Sequence, residues 1–370
     1  MARAFLYWHK FFGVLSCECN FLKDRFMKCR GINYDTGTRT LRGGLTRSVF
    51  DVSIVTREIE IIKSELHCNA IRISGCNIDR IKQAAEIALK RGLTVWFSPA
   101  IQYEDQQETF QYIIQAAERA EELRTRYEHI VFVTGCEFTL FTQGFINGIT
   151  GEERIHNMFS PWSMIKNMIG LKRTYNKRLR TFLSRLVFET RKLFHGQITY
   201  ASGTWEKPDW KLFDIAGIDQ YRAAYNRAVY TKQLQQFKKI GVPLYITEFG
   251  CCTYRGAEDK GAMGWNVVDW NQSPPRLKEN FIRDESEQAN SIIELLEIFD
   301  REEIPGAFIF TFISPDYRYN EDARFDLDMA AYSVVKSLPE NLPGYQGNLP
   351  WMPKTAFYKL GNYYSGKKLI

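Results

Sequence analysis

Two glutamates, Glu137 and Glu248, each end a short apolar run. Glu137 follows Val131–Cys136 and Glu248 follows Pro243–Thr247. Both runs are rich in β-branched and aromatic residues, which predicts buried parallel strands. A carboxylate at the end of such a strand is costly to desolvate unless it has partners or a function. Two of them in one domain could act as a general acid/base and a nucleophile on the same bond.

From Cys29 onward, candidate strands alternate with amphipathic helices. The strand candidates are Cys29–Asn33, Ala70–Ser74, Thr94–Ser98, Ile130–Thr134, Ile198–Ala201, Ile215–Asp219, Leu244–Thr247 and Ala307–Phe312. The helix candidates are Val49–Leu66, Asn77–Arg91, Asp105–Tyr127, Trp162–His195, Thr231–Ile240 and Glu285–Arg301, with a final helix near Leu360. Eight such units predict an α/β fold, a (β/α)8 TIM barrel over 29–370. Residues 1–28 are expected to form an N-terminal extension, and the crossover between the fifth and sixth strands to be abbreviated.

The functional face of a TIM barrel is formed by the carboxyl ends of its strands. The candidate substrate-binding residues at or after those ends are Asn33, Asp35, Arg72, Cys136, Trp205, Glu206, Asp219, Tyr221, Tyr254, Trp265 and Phe312. Arg72 and the Tyr221 hydroxyl are expected to stabilise Glu248 as the anion, whereas Glu137 suits the proton-shuttling role. Two carboxyls about 5 Å apart would suit retaining glycoside hydrolysis. The long loop Cys251–Pro275 is a candidate lid.

This layout resembles the clan of retaining glycoside hydrolases with a TIM barrel and catalytic carboxylates on strands 4 and 7. Within that clan, the stretch from Arg30 to about Tyr364 is similar to a bacterial family labelled abortive infection proteins. The similarity is carried by Arg30–Asp35, Cys68–Ile73, Val95–Pro99, Gly135–Glu137, Ile246–Cys252, Asp326–Ala330 and Pro353–Tyr358. The resemblance implies that Glu137 is the acid/base and Glu248 the nucleophile, with Arg72 and Tyr221 as their strand-2 and strand-6 neighbours.

The chain departs from the clan pattern at Cys136. The clan usually has Asn there, whose amide holds the sugar 2-hydroxyl, and a thiol is only a weak donor and acceptor. Either the substrate lacks an ordinary 2-hydroxyl, or Asn33 or Glu206 replaces the contact, or ordinary hydrolysis is reduced. The clan also often has a strand-8 Trp as a sugar platform, and the candidates for it here are Phe310 and Phe312.

Composition narrows the classes of function. The net charge of +6 comes from 49 basic and 43 acidic residues dispersed along the chain, which argues against nucleic-acid binding. None of the eight cysteines has Cys-x-x-Cys spacing, so we expect reduced thiols in a cytoplasmic protein with no metal and no cofactor. The N-terminal apolar stretch is too interrupted to span a membrane, although secretion stays a minority alternative.

These observations favour a retaining glycosidase or transglycosidase whose partner is a small carbohydrate or glycoside. Two alternatives stay open. One is a lyase or isomerase of sugar-like compounds at the same site, which the cysteine suggests. The other is a non-catalytic carbohydrate-binding or phage-defence protein.

Overall fold

The eight predicted strands form a closed parallel barrel in the computed structural model, which describes residues 27–40, 44–160 and 174–366. In chain order the barrel strands are β1 Cys29–Asp35, β2 Ala70–Gly75, β3 Thr94–Pro99, β4 Ile130–Cys136, β5 Gln197–Gly203, β6 Ala216–Asp219, β7 Leu244–Phe249 and β10 Gly306–Ile309. Each strand pairs with the next along the chain, and β10 closes the ring against β1. The predicted TIM barrel is therefore confirmed.

The helices surround the barrel. They are α1 Val52–Ser64, α2 Ile78–Lys90, α3 Gln106–Arg124, α4 Phe138–Phe141, α5 Gly151–Phe159, α6 Thr174–Leu193, α7 Tyr230–Phe237, α8 Glu285–Arg301 and α9 Thr355–Ser365. The two short helices α4 and α5 were not predicted, and part of the helix predicted from Trp162 lies outside the described residues. Only a 3-10 turn, Trp210–Leu212, lies between β5 and β6, so the abbreviated crossover is confirmed.

Four of these helices begin at an acidic or amide side chain. Asp51 accepts hydrogen bonds from two main-chain N–H groups of α1, and Asn77, Asp105 and Asp284 each accept one at the starts of α2, α3 and α8. Such N-caps satisfy N–H groups that have no partner within the helix. They therefore set where each crossover returns toward the barrel.

The barrel interior is filled by side chains. Trp96, Phe308, Val131 and Ile215 pack together inside it, with ring centroids of Trp96 and Phe308 4.6 Å apart. Gly31 on β1 lacks the Cβ that would lie 2.3 Å from the Phe308 ring, which explains the glycine at that position. These side chains fill the barrel beneath the carboxyl ends of the strands, where Glu137 and Glu248 lie.

The loops after β7 and β10 pack against each other on the carboxyl-end rim. Their cluster includes Cys252, Tyr254, Val267, Met329 and Tyr332. The loop after β7 also contains two 3-10 turns and the hairpin of β8 Val268–Asp269 and β9 Arg276–Leu277, and the last antiparallel pair is β11 Val335–Ser337 with β12 Trp351–Pro353. The loop predicted as a lid is thus an internally packed part of the rim.

Buried charges fasten this rim to the last helix. Lys354, just before α9, forms an ion pair with Asp328 at 2.8 Å, and both side chains are fully buried. The guanidinium of Arg283 contacts Asp326 and Asp328. The rim loops are therefore held by ionic contacts as well as apolar ones.

The described chain begins against the opposite end of the barrel. Met27 donates its main-chain N–H to Asp300, and the N–H groups of Lys28 and Cys29 donate to the carbonyl of Pro305. The rest of the predicted extension, residues 1–26, lies outside the described residues. Among the helices that are described, none has the length and apolar character needed to cross a membrane.

Candidate active site

Glu248, near the end of β7, has both carboxylate oxygens engaged. Arg72 on β2 donates from Nη1 to Oε1 at 2.8 Å, and Tyr221 donates its hydroxyl to Oε2 at 3.2 Å. Arg72 is itself buried, and it donates further to the hydroxyl of Ser98 and the carbonyl of Thr247. A buried guanidinium held on three sides favours an ionised, fixed carboxylate. The structure thus brings Arg72 and Tyr221 to Glu248.

Glu137 follows β4 directly, on an irregular piece of backbone. The pairing of β4 with β5 shifts register between Val133 and Cys136, and Glu137 has a left-handed φ of 43°. Gly135 before it has a φ of 150°, and a Cβ there would lie 2.0 Å from the ring of Phe138. Non-glycine residues in the left-handed region are uncommon and concentrate at functional sites. The bulge turns Glu137 out of the strand at the start of α4.

The surroundings of Glu137 favour its neutral form. Burial raises its pKa well above the ordinary glutamate range, and the charge of the nearby Glu248 raises it further. Arg72, the cation that opposes this shift, forms its direct ion pair with Glu248. The surroundings therefore favour a protonated Glu137 beside a Glu248 that is paired with a guanidinium. General acid catalysis by one group and nucleophilic attack by the other require this difference.

Glu206 fastens the short helix that follows Glu137. Its carboxylate accepts hydrogen bonds from the main chain and hydroxyl of Thr139 and from the hydroxyls of Tyr200 and Ser202. Tyr200 in turn accepts the N–H of Phe138 at 2.8 Å. Because Glu206 is buried and these four hydrogen bonds engage both of its oxygens, we assign it a positioning role instead of the predicted substrate contact.

Cys136, the last residue of β4, and Asp219, the last residue of β6, both lie beside Glu248. The Cys136 sulfur lies 3.5 Å from Oδ2 of Asp219 and 3.7 Å from Oε1 of Glu248. The other oxygen of Asp219 accepts the hydroxyl of Thr247 at 2.7 Å. Burial raises the pKa of the Cys136 thiol well above its ordinary value, so the thiol is protonated.

Four predicted substrate contacts are occupied by the protein itself. Asn33 is buried and donates to main-chain carbonyls, among them that of Thr247 at 3.0 Å. Asp35 accepts from the N–H of Gly37 and the hydroxyl of Thr46 within its own loop. Because the amide nitrogen of Asn33 and both oxygens of Asp35 are engaged by protein groups, we assign both side chains a structural role in place of the predicted substrate contact.

The other two corrections concern aromatic residues. Tyr254 is 1% exposed and donates its hydroxyl to the carbonyl of Gly264. Phe312 is 0% exposed and packs edge-on against Trp351. Neither ring is available to stack on a sugar. Phe310, two residues earlier, is only partly buried and lies 5.9 Å from Tyr332 between ring centroids, so it is the strand-8 platform candidate.

Two predicted tryptophans remain partly exposed on the rim. Trp205 donates from Nε1 to the hydroxyl of Thr139, and its ring lies over Gly203, where a Cβ would be 2.4 Å from it. Trp265 packs against the rim-loop cluster. Their apolar faces suit the CH faces of pyranosides.

Sequence reasoning missed Ser98, Thr247 and Thr139. Ser98 and Thr247 contact Arg72 and Asp219, and Thr139 links Trp205 to Glu206. The only signal for the first two was their position on strands beside the predicted site. Nothing pointed to Thr139, because α4 was not predicted.

A cation site is a possible use of the same residues. Ligand atoms of Cys136, Asp219 and Glu248 lie within 4.8 Å of one another, the combination that could hold a metal ion among the described residues. The guanidinium of Arg72, 2.8 Å from Glu248, places a positive charge against that position. Repulsion from Arg72 argues against a metal ion at this position, and the expectation that the protein binds no metal stays a prediction.

Two cavities lie away from the glutamates. One of about 330 Å³ opens at the amino end of the barrel, lined by Trp96, His129 and Tyr245 among others. The other, about 640 Å³, lies between the rim loops and is lined by Pro274, Tyr319 and further residues. Neither includes Glu137 or Glu248, so the candidate site rests on the carboxylate geometry.

The chain resembles solved structures but neither a family model nor a curated protein. No family model matches the chain, and no curated protein matches it. The resemblance to abortive infection proteins therefore stays a prediction.

Solved structures do match over most of the chain. A GH113 β-1,4-mannanase is 14% identical with a TM-score of 0.58, covering 93% of this chain and 100% of its own. The GH113 β-mannanase AaManA from Alicyclobacillus acidocaldarius, in complex with ManMIm, is 12% identical with a TM-score of 0.56, covering 92% and 97%. A calcium-binding mutant of Bacteroides uniformis β-glucuronidase 2 is 14% identical with a TM-score of 0.56, covering 91% of this chain and 34% of its own. At these identities the likeness concerns the barrel.

Proposed function

We propose that this protein is a retaining glycoside hydrolase or transglycosidase acting on an O-glycoside. The observation that carries the proposal is the unequal state of the two strand-end glutamates. Both oxygens of Glu248 accept hydrogen bonds, from Arg72 and from Tyr221, whereas burial raises the pKa of Glu137. The barrel neighbours are a β-mannanase and a β-glucuronidase by name, which supports the same class for this chain.

The proposed reaction has two displacements. In the first, Glu137 donates its proton to the leaving oxygen while Glu248 attacks the anomeric carbon, forming a covalent glycosyl-enzyme. In the second, Glu137 removes a proton from water or an acceptor hydroxyl, which attacks the anomeric carbon and releases Glu248. Arg72 and Tyr221 hold Glu248 for attack and stabilise it when it leaves.

The reaction is tested on a panel of aryl glycosides, with proton NMR of the first-formed product anomer. We expect net retention of anomeric configuration on the sugar that is turned over. Glu248→Gln should lose hydrolysis of every aryl glycoside, Glu137→Gln should lose it where a poor leaving group needs the proton, and azide should restore turnover of Glu248→Gly. Glu60→Gln, on the outer surface of α1, is the matched control and should keep full activity.

Three outcomes would refute the proposal. They are inversion of configuration, undiminished turnover in both Gln variants, and no turnover of any glycoside by a wild type that binds sugar in calorimetry. The last would favour carbohydrate recognition without cleavage.

A further inference from the structure

Asp219 is a third carboxyl beside the proposed catalytic pair, and the reaction proposed above does not use it. It ends β6 with 3% of its surface exposed, and it is the strand-pairing partner of Glu248. Both of its oxygens face protein groups, the Thr247 hydroxyl at 2.7 Å and the Cys136 sulfur at 3.5 Å. With both oxygens in contact with protein groups and little of its surface exposed, Asp219 is better suited to hold its neighbours than to make the predicted substrate contact.

The charges that face Asp219 favour its neutral form. Glu137 and Cys136 face it from β4, Glu248 from β7, Arg72 from β2 and Tyr221 from the loop after β6. Arg72 is the only cation in this group, and its ion pair is with Glu248. A buried carboxylate without a cation of its own is costly. Burial, and then the charge of Glu248, raise the pKa of Asp219 well above the ordinary aspartate range.

A proton on Asp219 would complete a chain to the nucleophile. Because the Thr247 hydroxyl donates to Oδ1, the proton belongs on Oδ2, which faces the Cys136 sulfur. The thiol has one hydrogen, and with Asp219 as its donor that hydrogen is free to point at Oε1 of Glu248, 3.7 Å from the sulfur. Each polar hydrogen then has an acceptor.

We propose that Asp219, as a neutral acid, is a positioning residue that acts through the Cys136 thiol on Glu248. Cys136 is then committed to Glu248 rather than to a substrate hydroxyl. The role in catalysis rests on the proposed hydrolysis. The protonation state does not, because it concerns the free protein.

The first test measures unfolding in urea as a function of pH for the full chain and needs no substrate. Asp219→Asn and Asp219→Ser both remove the ionisable group. If only one of them folds, the measurement is made on that variant. An acid whose folded-state pKa is raised stabilises the fold at low pH, and this stabilisation is lost as pH rises through that pKa. Relative to the variant, the unfolding equilibrium constant of the wild type should rise by up to tenfold per pH unit above the ordinary aspartate pKa.

If the unfolding equilibrium constant of the wild type instead falls relative to the variant as pH rises, Asp219 is ionised and paired with Arg72. If the two pH curves are parallel, folding leaves the titration of Asp219 unchanged. Either result overturns the proposal, whether or not the protein hydrolyses glycosides.

The second test addresses the thiol link through kinetics. Cys136→Ser keeps a donor and acceptor, whereas Cys136→Ala removes both. Relative to Cys136→Ser, Cys136→Ala should lose about two- to tenfold in kcat/KM at similar thermal stability, because the contact to the Glu248 carboxylate is long and lies at the weak end for a hydrogen bond. Equal activities of the two variants would overturn the link through the thiol.

Discussion

Tyr221→Phe tests how much the proposed nucleophile, Glu248, gains from the hydrogen bond that Tyr221 donates to it. The substitution removes the hydroxyl that donates to Oε2 of Glu248 at 3.2 Å. The ring should stay in place, because it packs edge-on against Tyr332 with centroids 5.5 Å apart. Arg72 still holds the other oxygen of Glu248. The variant therefore removes one contact and preserves the shape of the site.

The expected loss follows from the type and length of that hydrogen bond. A hydrogen bond to a charged group contributes about 1.5–3 kcal/mol, equivalent to roughly ten- to 150-fold in rate. At 3.2 Å the contact is longer than the usual O–H···O distance, so the lower end applies. We expect kcat/KM for an aryl glycoside to fall about tenfold.

Tyr245→Phe is the matched control, because Tyr245 lies at the amino end of β7 and packs against Trp96. It should keep wild-type kinetics, and thermal melts should show that both variants are folded. An unchanged kcat/KM in Tyr221→Phe, or an equal fall in Tyr245→Phe, would refute the reasoning.

Three further predictions concern charge and pH. Because Glu137 must be protonated to act as the acid, activity should fall as pH rises through its raised pKa, and Glu137→Gln should lack this alkaline limb on an aryl glycoside with a good leaving group. Hydrogen bonds from Arg124 hold the pKa of Glu121 at about 2, so Glu121→Gln should cost about 1 kcal/mol of unfolding free energy near neutral pH. In urea titrations this difference should shrink as pH falls from the ordinary glutamate range toward about 2, and a constant difference would contradict it. Lys354→Met removes the cation that lies 2.8 Å from the buried Asp328, and it should lower the unfolding free energy by about 3 kcal/mol. Adding Asp328→Leu should restore part of that loss. Additive losses in the double variant would contradict the pairing.

The barrel and the position of the candidate site at its strand ends were predictable because both follow from simple periodicity. Apolar runs such as Val131–Cys136 alternate with amphipathic helices, and parallel strands place their carboxyl ends on one rim. The placement of Arg72 and Tyr221 against Glu248 followed from the same rule. Helix bounds agree within a few residues where a capping side chain such as Asp284 marks the start.

The side-chain orientations at the rim were not predictable. Phe310 and Phe312 are the same residue type at the end of the same predicted strand, yet Phe310 is partly exposed and Phe312 lies in the core. From the sequence alone Glu206 is a candidate substrate-binding acid on the rim. Its hydrogen bonds to α4 could not be predicted, because α4 itself was not predicted. Tyr254 similarly depends on how the loop after β7 folds on itself. These outcomes depend on contacts between distant loops, which local patterns do not encode.

In the proposed mechanism Glu248 becomes covalently attached to the sugar. This can be measured by mass spectrometry of peptides after incubation with 2-fluoroglycosides or cyclitol epoxides that trap the glycosyl-enzyme. We expect one sugar-derived adduct on the peptide that contains Glu248, absent in Glu248→Gln and retained in the surface control Glu60→Gln. An adduct on another carboxylate such as Glu137 or Asp219, or turnover of the matching glycoside with no covalent intermediate, would contradict it.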